Sequence, residues 1–463
     1  MTAATMAAAV CSVLTGCSGG GNDAKASLGW SAPGLEVVSK AVVGDGIAAV
    51  TALRPDGALE TDTFDLAKGK RLWAKPATMR GRTPDQGVEP PAVSGRVVAA
   101  VEPDDRGAVL VARNARTGSL LWTRDVRSTF GPQACGPMLC LTERVTGHAG
   151  STGHAGSAGE DARFVALDPS ADGRELWRIG GPAEVEWADA SRVVVFRPGP
   201  RPSLEAHDLR GGRMLWTFPV EAALGGGVDV SGGWAFGSLG ETIVGYLGPH
   251  PAQPGRSGSE QAGPGRGGRR GSSAAFGFFA VRTADGGRVW ARPKLLRVYP
   301  SASPAVALIT RQVAADGGSG GFERLDPRTG RTTATIPADR APRSPWSLSL
   351  PADLGLIGFL APDRPGRAVD LGNGAPAPAR GVRVWSFCAV RPSALRITGQ
   401  PGFFPLAPLC AYDLGTGGRI ADPGPPPAWY TGSTGGWRVW RDESGTLHAL
   451  RDAQGTAPGM YGP

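Results

Sequence analysis

Six cysteines, five histidines and a series of regularly spaced aspartates are the side chains of this 463-residue chain that could take part in chemistry. Cys11 and Cys17 stand in an apolar N-terminal segment, and Cys135, Cys140, Cys388 and Cys410 are spread along the body. His148, His154, His207, His250 and His448 are scattered, and none approaches either cysteine pair at the spacing of a metal site. Asp65, Asp168, Asp208, Asp326 and Asp413 each stand just ahead of a glycine, which reads as turn chemistry rather than as paired acid and base. Gly263-Pro264-Gly265-Arg266-Gly267-Gly268 fits a dinucleotide fingerprint in letters only, with no strand before it and no helix after it. No Gly-x-Ser-x-Gly elbow has a strand-to-helix setting. No catalytic, cofactor-binding or metal residue is therefore expected.

The aspartates belong to a repeat. Its fullest copies are Ala112, Asn114, Thr117, Gly118, Trp122; Ala166, Asp168, Gly173, Trp177; and Ala206, Asp208, Gly212, Trp216. Weaker ones are Asp65, Gly69, Trp73 and Ala280, Gly286, Trp290. Copies without the tryptophan are Asp326, Thr329, Gly330; Ala368, Asp370, Gly374; Ala411, Asp413, Gly417; and Ala449, Gly455. A period of roughly 40 to 55 residues belongs to propellers and arrays. Alternating apolar residues such as Phe164-Val165-Ala166-Leu167 predict a strand, the Asp or Asn starts a turn, and the glycine takes its left-handed position. The following Leu-Trp or Val-Trp opens a second strand with a large apolar plate. A further hairpin precedes each unit, as at Pro91–Ala99. Each repeat is then about four antiparallel strands, one propeller blade.

The repeat resembles that of the pyrroloquinoline-quinone-like propellers, the superfamily of the quinoprotein alcohol dehydrogenases and the BamB-type envelope assembly lipoproteins. Five copies with Gly and Trp four residues apart carry the likeness, which runs from about Leu28 onward. It implies that Trp73, Trp122, Trp177, Trp216 and Trp290 each dock on the next blade. The last repeat, at Leu447–Gly455, ends without a Trp strand, and Leu28-Gly29-Trp30 near the start resembles the missing piece. Trp30 is expected on the outer strand of the final blade, closing the ring with no unpaired edge. The expectation is all-β, a single propeller of four-stranded blades over 28–463, eight blades within a range of seven to nine. Gly69, Gly118, Gly173, Gly212, Gly330 and Gly417 complete the structural motif.

Met6–Leu14 is a short apolar run leading into Leu14-Thr15-Gly16-Cys17, which resembles the bacterial lipoprotein box. The resemblance implies a signal peptide at 1–16, a diacylglycerol on Cys17 and a Gly-rich tether at 17–27. No Lys or Arg precedes the run, so the true start is expected upstream. Export permits disulfides. Four cysteines allow three pairings. Alignment of 134–140 with the hairpin 92–98 sets Cys135 and Cys140 across a tight turn, and Cys388 and Cys410 fall on strands of one blade. Cys135–Cys140 with Cys388–Cys410 is the expected pairing, free buried thiols being the alternative.

Beyond the N-terminus no apolar stretch is long enough to span a membrane. Insertions near 146–160 and 248–274 break the repeat with low-complexity sequence expected to be disordered. The net charge of +8 falls partly in the second, at Arg256, Arg266, Arg269 and Arg270, where it either meets anionic lipid or simply solvates the loop. Nucleic acid is not an expected partner of an exported chain. Quinoproteins carry adjacent cysteines and a calcium site of Glu, Asn and Asp; the chain has no adjacent cysteines, so pyrroloquinoline quinone is not expected. The composition, heavy in Ala, Gly, Pro and Arg, resembles that of high-GC actinobacteria. The expected function is a non-enzymatic, monomeric lipoprotein scaffold, anchored on the outer face of the cell membrane and binding envelope proteins. The alternatives are a receptor for a sugar or cell-wall fragment, with Trp346, Trp429, Tyr430 and Trp437 as candidate rim aromatics, and a quinone-dependent oxidoreductase.

Overall fold

The computed structural model describes residues 29–80, 87–105, 107–144, 162–170, 172–228, 230–249, 275–297, 308–313, 319–337, 347–349, 356–361, 364–370, 373–388, 394–399, 402–421, 423–427, 430–434 and 436–451. Cys17, expected to carry the lipid, the expected signal and tether segments, the first insertion and all of the second but Gly248 and Pro249 lie outside the described residues.

Short strands joined by tight turns build a β-propeller, with one helical turn at Glu221–Leu224 among the described residues. Strands pair antiparallel, in chain order within sheets 2 to 8. Sheet 1 holds Glu36–Val37, Val42–Gly44, Ile47–Leu53, Leu59–Asp65 and Arg71–Ala77; sheet 2 holds Ala92–Ser94, Val97–Asp104, Gly107–Asn114 and Leu120–Asp125. Sheet 3 runs from Ser128–Cys135 to Glu175–Gly180, sheet 4 from Glu184–Ala188 to Met214–Pro219 and sheet 5 from Trp234–Leu239 to Arg288–Pro293, each with four strands. Sheets 6 (Leu295–Arg297 to Thr332–Ile336) and 7 (Ser347–Ser349 to Pro376–Ala377) also have four. Sheet 8 has two, Arg383–Phe387 and Leu409–Asp413. Sheet 9 joins Gly432–Thr434, Trp437–Arg441 and Leu447–Arg451 to the first strand, Gly29–Ala32.

The turn chemistry recurs from sheet to sheet. The Asn114 carboxamide accepts from the amides of Arg116 and Thr117, and Asp65, Asp208, Asp326 and Asp413 accept in the same way from amides two or three residues on. The glycine that follows adopts φ between 64° at Gly173 and 70° at Gly286 and Gly417. A plate then reaches the next sheet. Trp73 Nε1 donates to Ala115 O at 2.9 Å, Trp122 to Pro169 O at 2.8 Å, Trp177 to Leu209 O at 2.7 Å and Trp290 to Pro327 O at 3.0 Å. Trp30, paired through Ala449 into sheet 9, donates to Leu66 O of sheet 1 at 2.8 Å, so the two chain ends meet through the same contact.

Aliphatic clusters fill the spaces between sheets, such as Leu110, Ala112 and Trp122 against Leu139, Leu141 and Val165. Ion pairs cross the same interfaces: Arg124 of sheet 2 binds Glu143 and Glu175 of sheet 3, and Arg292 of sheet 5 binds Glu323 of sheet 6. The first strands of successive sheets contact one another, which places them around the axis and the last strands at the periphery.

Candidate functional site

The sequence-expected residues divide cleanly. Asp65, Asp168, Asp208, Asp326 and Asp413 cap their turns, and backbone amides hold Asp326 and Asp413 below the usual carboxylate range. Cys135 is joined to Cys140 across the hairpin of sheet 3, and Cys388 to Cys410 beside sheet 8. Glu443 lies against the second bridge, 3.4 Å from Cys410 Sγ, but two sulfurs joined to each other offer no thiolate to a metal. His207 is buried, stacked on Trp177 and set between Gly212 O and Glu205, a structural part of its turn. His148, His154 and His250 lie outside the described residues.

His448 is different. Cross-strand pairing sets Ser31, His448 and Trp440 in one row on the face of sheet 9 that looks toward sheet 8. The imidazole stacks on Trp440 with centroids 5.5 Å apart. Its Nε2 lies 2.9 Å from Asp442 Oδ2 and its Nδ1 2.8 Å from Ser31 Oγ. With the proton on Nε2, Nδ1 accepts from the exposed serine hydroxyl. Asp442 also accepts from Ser444 and Thr446; burial opposes its charge, but hydrogen bonds from Ser444, His448 and Thr446 outweigh that and lower its pKa. The row braces the last hairpin and leaves a polar edge on open space.

That space is a cleft of about 280 Å³ between sheets 8 and 9. Trp385, Leu409 and Ala411 form one wall, Trp440, Asp442 and His448 the other, and Tyr430 closes the floor with its hydroxyl donating to Ala407 O at 2.8 Å. Arg419, from the sheet 8 side, forms an ion pair with Glu443 of the sheet 9 turn. Arg441 donates to Leu406 O, and burial lowers its pKa. Of the expected rim aromatics, only Tyr430 lines this cleft; Trp437 packs toward sheet 1, and Trp346 and Trp429 lie outside the described residues. The sequence reading missed Trp385, Trp440 and His448 because their convergence depends on which sheets face each other.

Two other places carry unusual side chains. On the axial strand of sheet 4, burial pushes the Glu186 carboxyl well above its usual range, and neighbouring Glu184 adds to the shift. Burial raises Glu184 as well, against a 3.0 Å hydrogen bond from Trp234 Nε1. On the peripheral strands, Leu120 and Leu121 of sheet 2, Met214 and Leu215 of sheet 4 and Val289 of sheet 5 are exposed, Leu120 by 56% and Met214 by 51%. Each stands one or two residues before a docking tryptophan, on a strand whose outer edge has no partner among the described residues.

Residues 32–195 match the family model described as outer membrane protein assembly factor BamB. In that stretch the repeat is similar to that of the BamB-type propellers. No curated protein matches the chain in sequence. Among solved structures, BamB from Moraxella catarrhalis is 11% identical, over 91% of this chain and 98% of that one, with a TM-score of 0.43. The quinohemoprotein alcohol dehydrogenase from Comamonas testosteroni is 12% identical over 91% and 75% of the two chains, with a TM-score of 0.40. Sqt1 from Saccharomyces cerevisiae is 8% identical over 92% and 99%, with a TM-score of 0.42.

Proposed function

We propose that this chain is a lipid-anchored extracytoplasmic scaffold that binds other proteins of the cell envelope. The observation that carries the reading is the match of residues 32–195 to a model of an envelope assembly factor. The geometry adds a mode of binding. Peripheral strands present both a backbone edge unpaired among the described residues and exposed apolar side chains at Leu120, Leu121, Met214, Leu215 and Val289. An extended segment of a partner adds to such an edge through main-chain hydrogen bonds and buries those side chains. The reading needs no cofactor and a single copy of the chain. Tethering through Cys17 then holds the propeller at the outer face of the cell membrane, and the actinobacterium-like composition fits an envelope without the outer-membrane machinery of the model's namesake. The rival, a quinone-dependent oxidoreductase, has less support, because adjacent cysteines are missing.

A photo-reactive amino acid placed at Leu121 or Met214 of the full chain in cells tests this. The expected result is an adduct with one envelope protein, weakened when Cys17→Ala releases the chain from membranes. Adducts that form equally well from the exposed turn position Arg54, or none from the edge positions, overturn it.

A further inference from the structure

Sheets 1 to 5 send a tryptophan plate into the neighbouring interface, always four residues after the turn glycine. In sheets 6, 7 and 8 the same offset from Gly330, Gly374 and Gly417 lands on Ala334, Pro378 and Ala421. Sheet 8, unlike sheets 6 and 7, also has no outer strand among the described residues. The trace of one is a single bridge between Tyr412 and Arg419, after which Pro423, Pro425, Pro426 and Pro427 remove the backbone donors a ladder needs. The cleft between sheets 8 and 9 lies where the plate and strand are missing, and Ala421 lines it. The space is therefore built into the repeat by substitution.

Its walls point to one ligand chemistry. Trp385 and Trp440 are aromatic plates on opposite sides. Arg419 and Glu443 cross the cleft as a pair, offering planar donors and acceptors side by side. The charges of the lining cancel, Arg419 and Arg441 against Asp442 and Glu443, so nothing selects an anion. A volume of about 280 Å³ falls just below the small-molecule range of about 300 to 1,000 Å³, which suits a short ligand. Flat C–H faces that stack on indole, combined with neutral hydroxyls that hydrogen-bond to guanidinium and carboxylate, are the properties of a pyranose.

We propose that this cleft is a binding site for a neutral carbohydrate, one or two pyranose rings long, held between Trp385 and Trp440 and oriented by Arg419 and Glu443. The site is independent of the peripheral edges assigned to protein partners.

Calorimetric titration of the full chain with cellobiose, maltose and N,N′-diacetylchitobiose tests it, at concentrations up to about 10 mM to cover weak binding. At least one disaccharide is expected to bind saturably. Glu443→Gln should weaken it about tenfold. Ala421→Trp, which restores the plate, should abolish it while the melting temperature holds or rises. The proposal is overturned if none of the three binds, if binding survives Ala421→Trp, or if a glucuronate-containing disaccharide or inorganic phosphate binds more tightly than all of them. Loss of a partner adduct at Leu121 leaves this result untouched, so the two readings fail separately.

Discussion

Replacing Gly173 by alanine should loosen the contact between sheets 2 and 3 by two separable routes. The residue sits at φ 64°, in the left-handed region, where a Cβ costs about 1–2 kcal/mol. That Cβ also falls 2.7 Å from Trp122 Cε3 and 2.8 Å from Cζ3, inside any allowed contact, so the plate must shift at an overpacking cost of about 1–3 kcal/mol. In the wild type the plate is buried and donates to Pro169 O at 2.8 Å. Trp122→Ala alone should cost about 3–5 kcal/mol through the cavity it leaves. In that background Gly173→Ala keeps only its backbone cost. The cycle should therefore show a coupling of about 1–3 kcal/mol, read as the difference in single-mutant effects. Hydrogen exchange is the assay, because a chain of many sheets has no single unfolding free energy and local opening is reported amide by amide. Protection of the Ala162–Leu167 strand is the quantity to follow. If Gly173→Ala costs the same with and without the tryptophan, the glycine serves backbone conformation alone and the reasoning about the plate is wrong.

Burial, with Glu60 adding to it, pushes the Asp62 carboxyl up to about 7 against the opposing pull of Arg71. Its folded pKa thus lies above the unfolded value of 3.8, and across that window the folded chain holds a proton the unfolded chain has released. Stability should fall as pH rises from about 4 to 7, and Asp62→Asn should flatten the slope of melting temperature against pH; an unchanged slope refutes the assignment. Of the two disulfides, Cys388–Cys410 spans 22 residues and Cys135–Cys140 spans 5, so the chain-entropy term is about 3 and about 2 kcal/mol respectively. Cys388→Ser should accordingly lower the melting temperature more than Cys135→Ser, and the reverse order would show that native packing, not loop entropy, sets the effect.

The repeat made the fold legible because each copy carries its own turn chemistry. Asn114 and its counterparts cap locally, glycine takes a local left-handed angle, and strand alternation is local too, so one chain segment suffices to state them. Trp30 near the start could be joined to the last sheet because it is the piece that the final copy lacks, and its pairing partner is Ala449. A second constraint on each glycine escaped that reading: a Cβ at Gly69, Gly118 or Gly212 would lie 2.5 to 2.7 Å from the previous sheet's indole, a residue 35 to 45 positions away. The cleft was hidden for the same reason. The copy at Ala411, Asp413 and Gly417 lacks its tryptophan, and only the packing of sheet 8 on sheet 9 turns that lack into a cleft faced by Trp385, Trp440 and His448. Local rules fix what each copy does with its own backbone, whereas a site made of absences is set by which surfaces come to face each other across the gap.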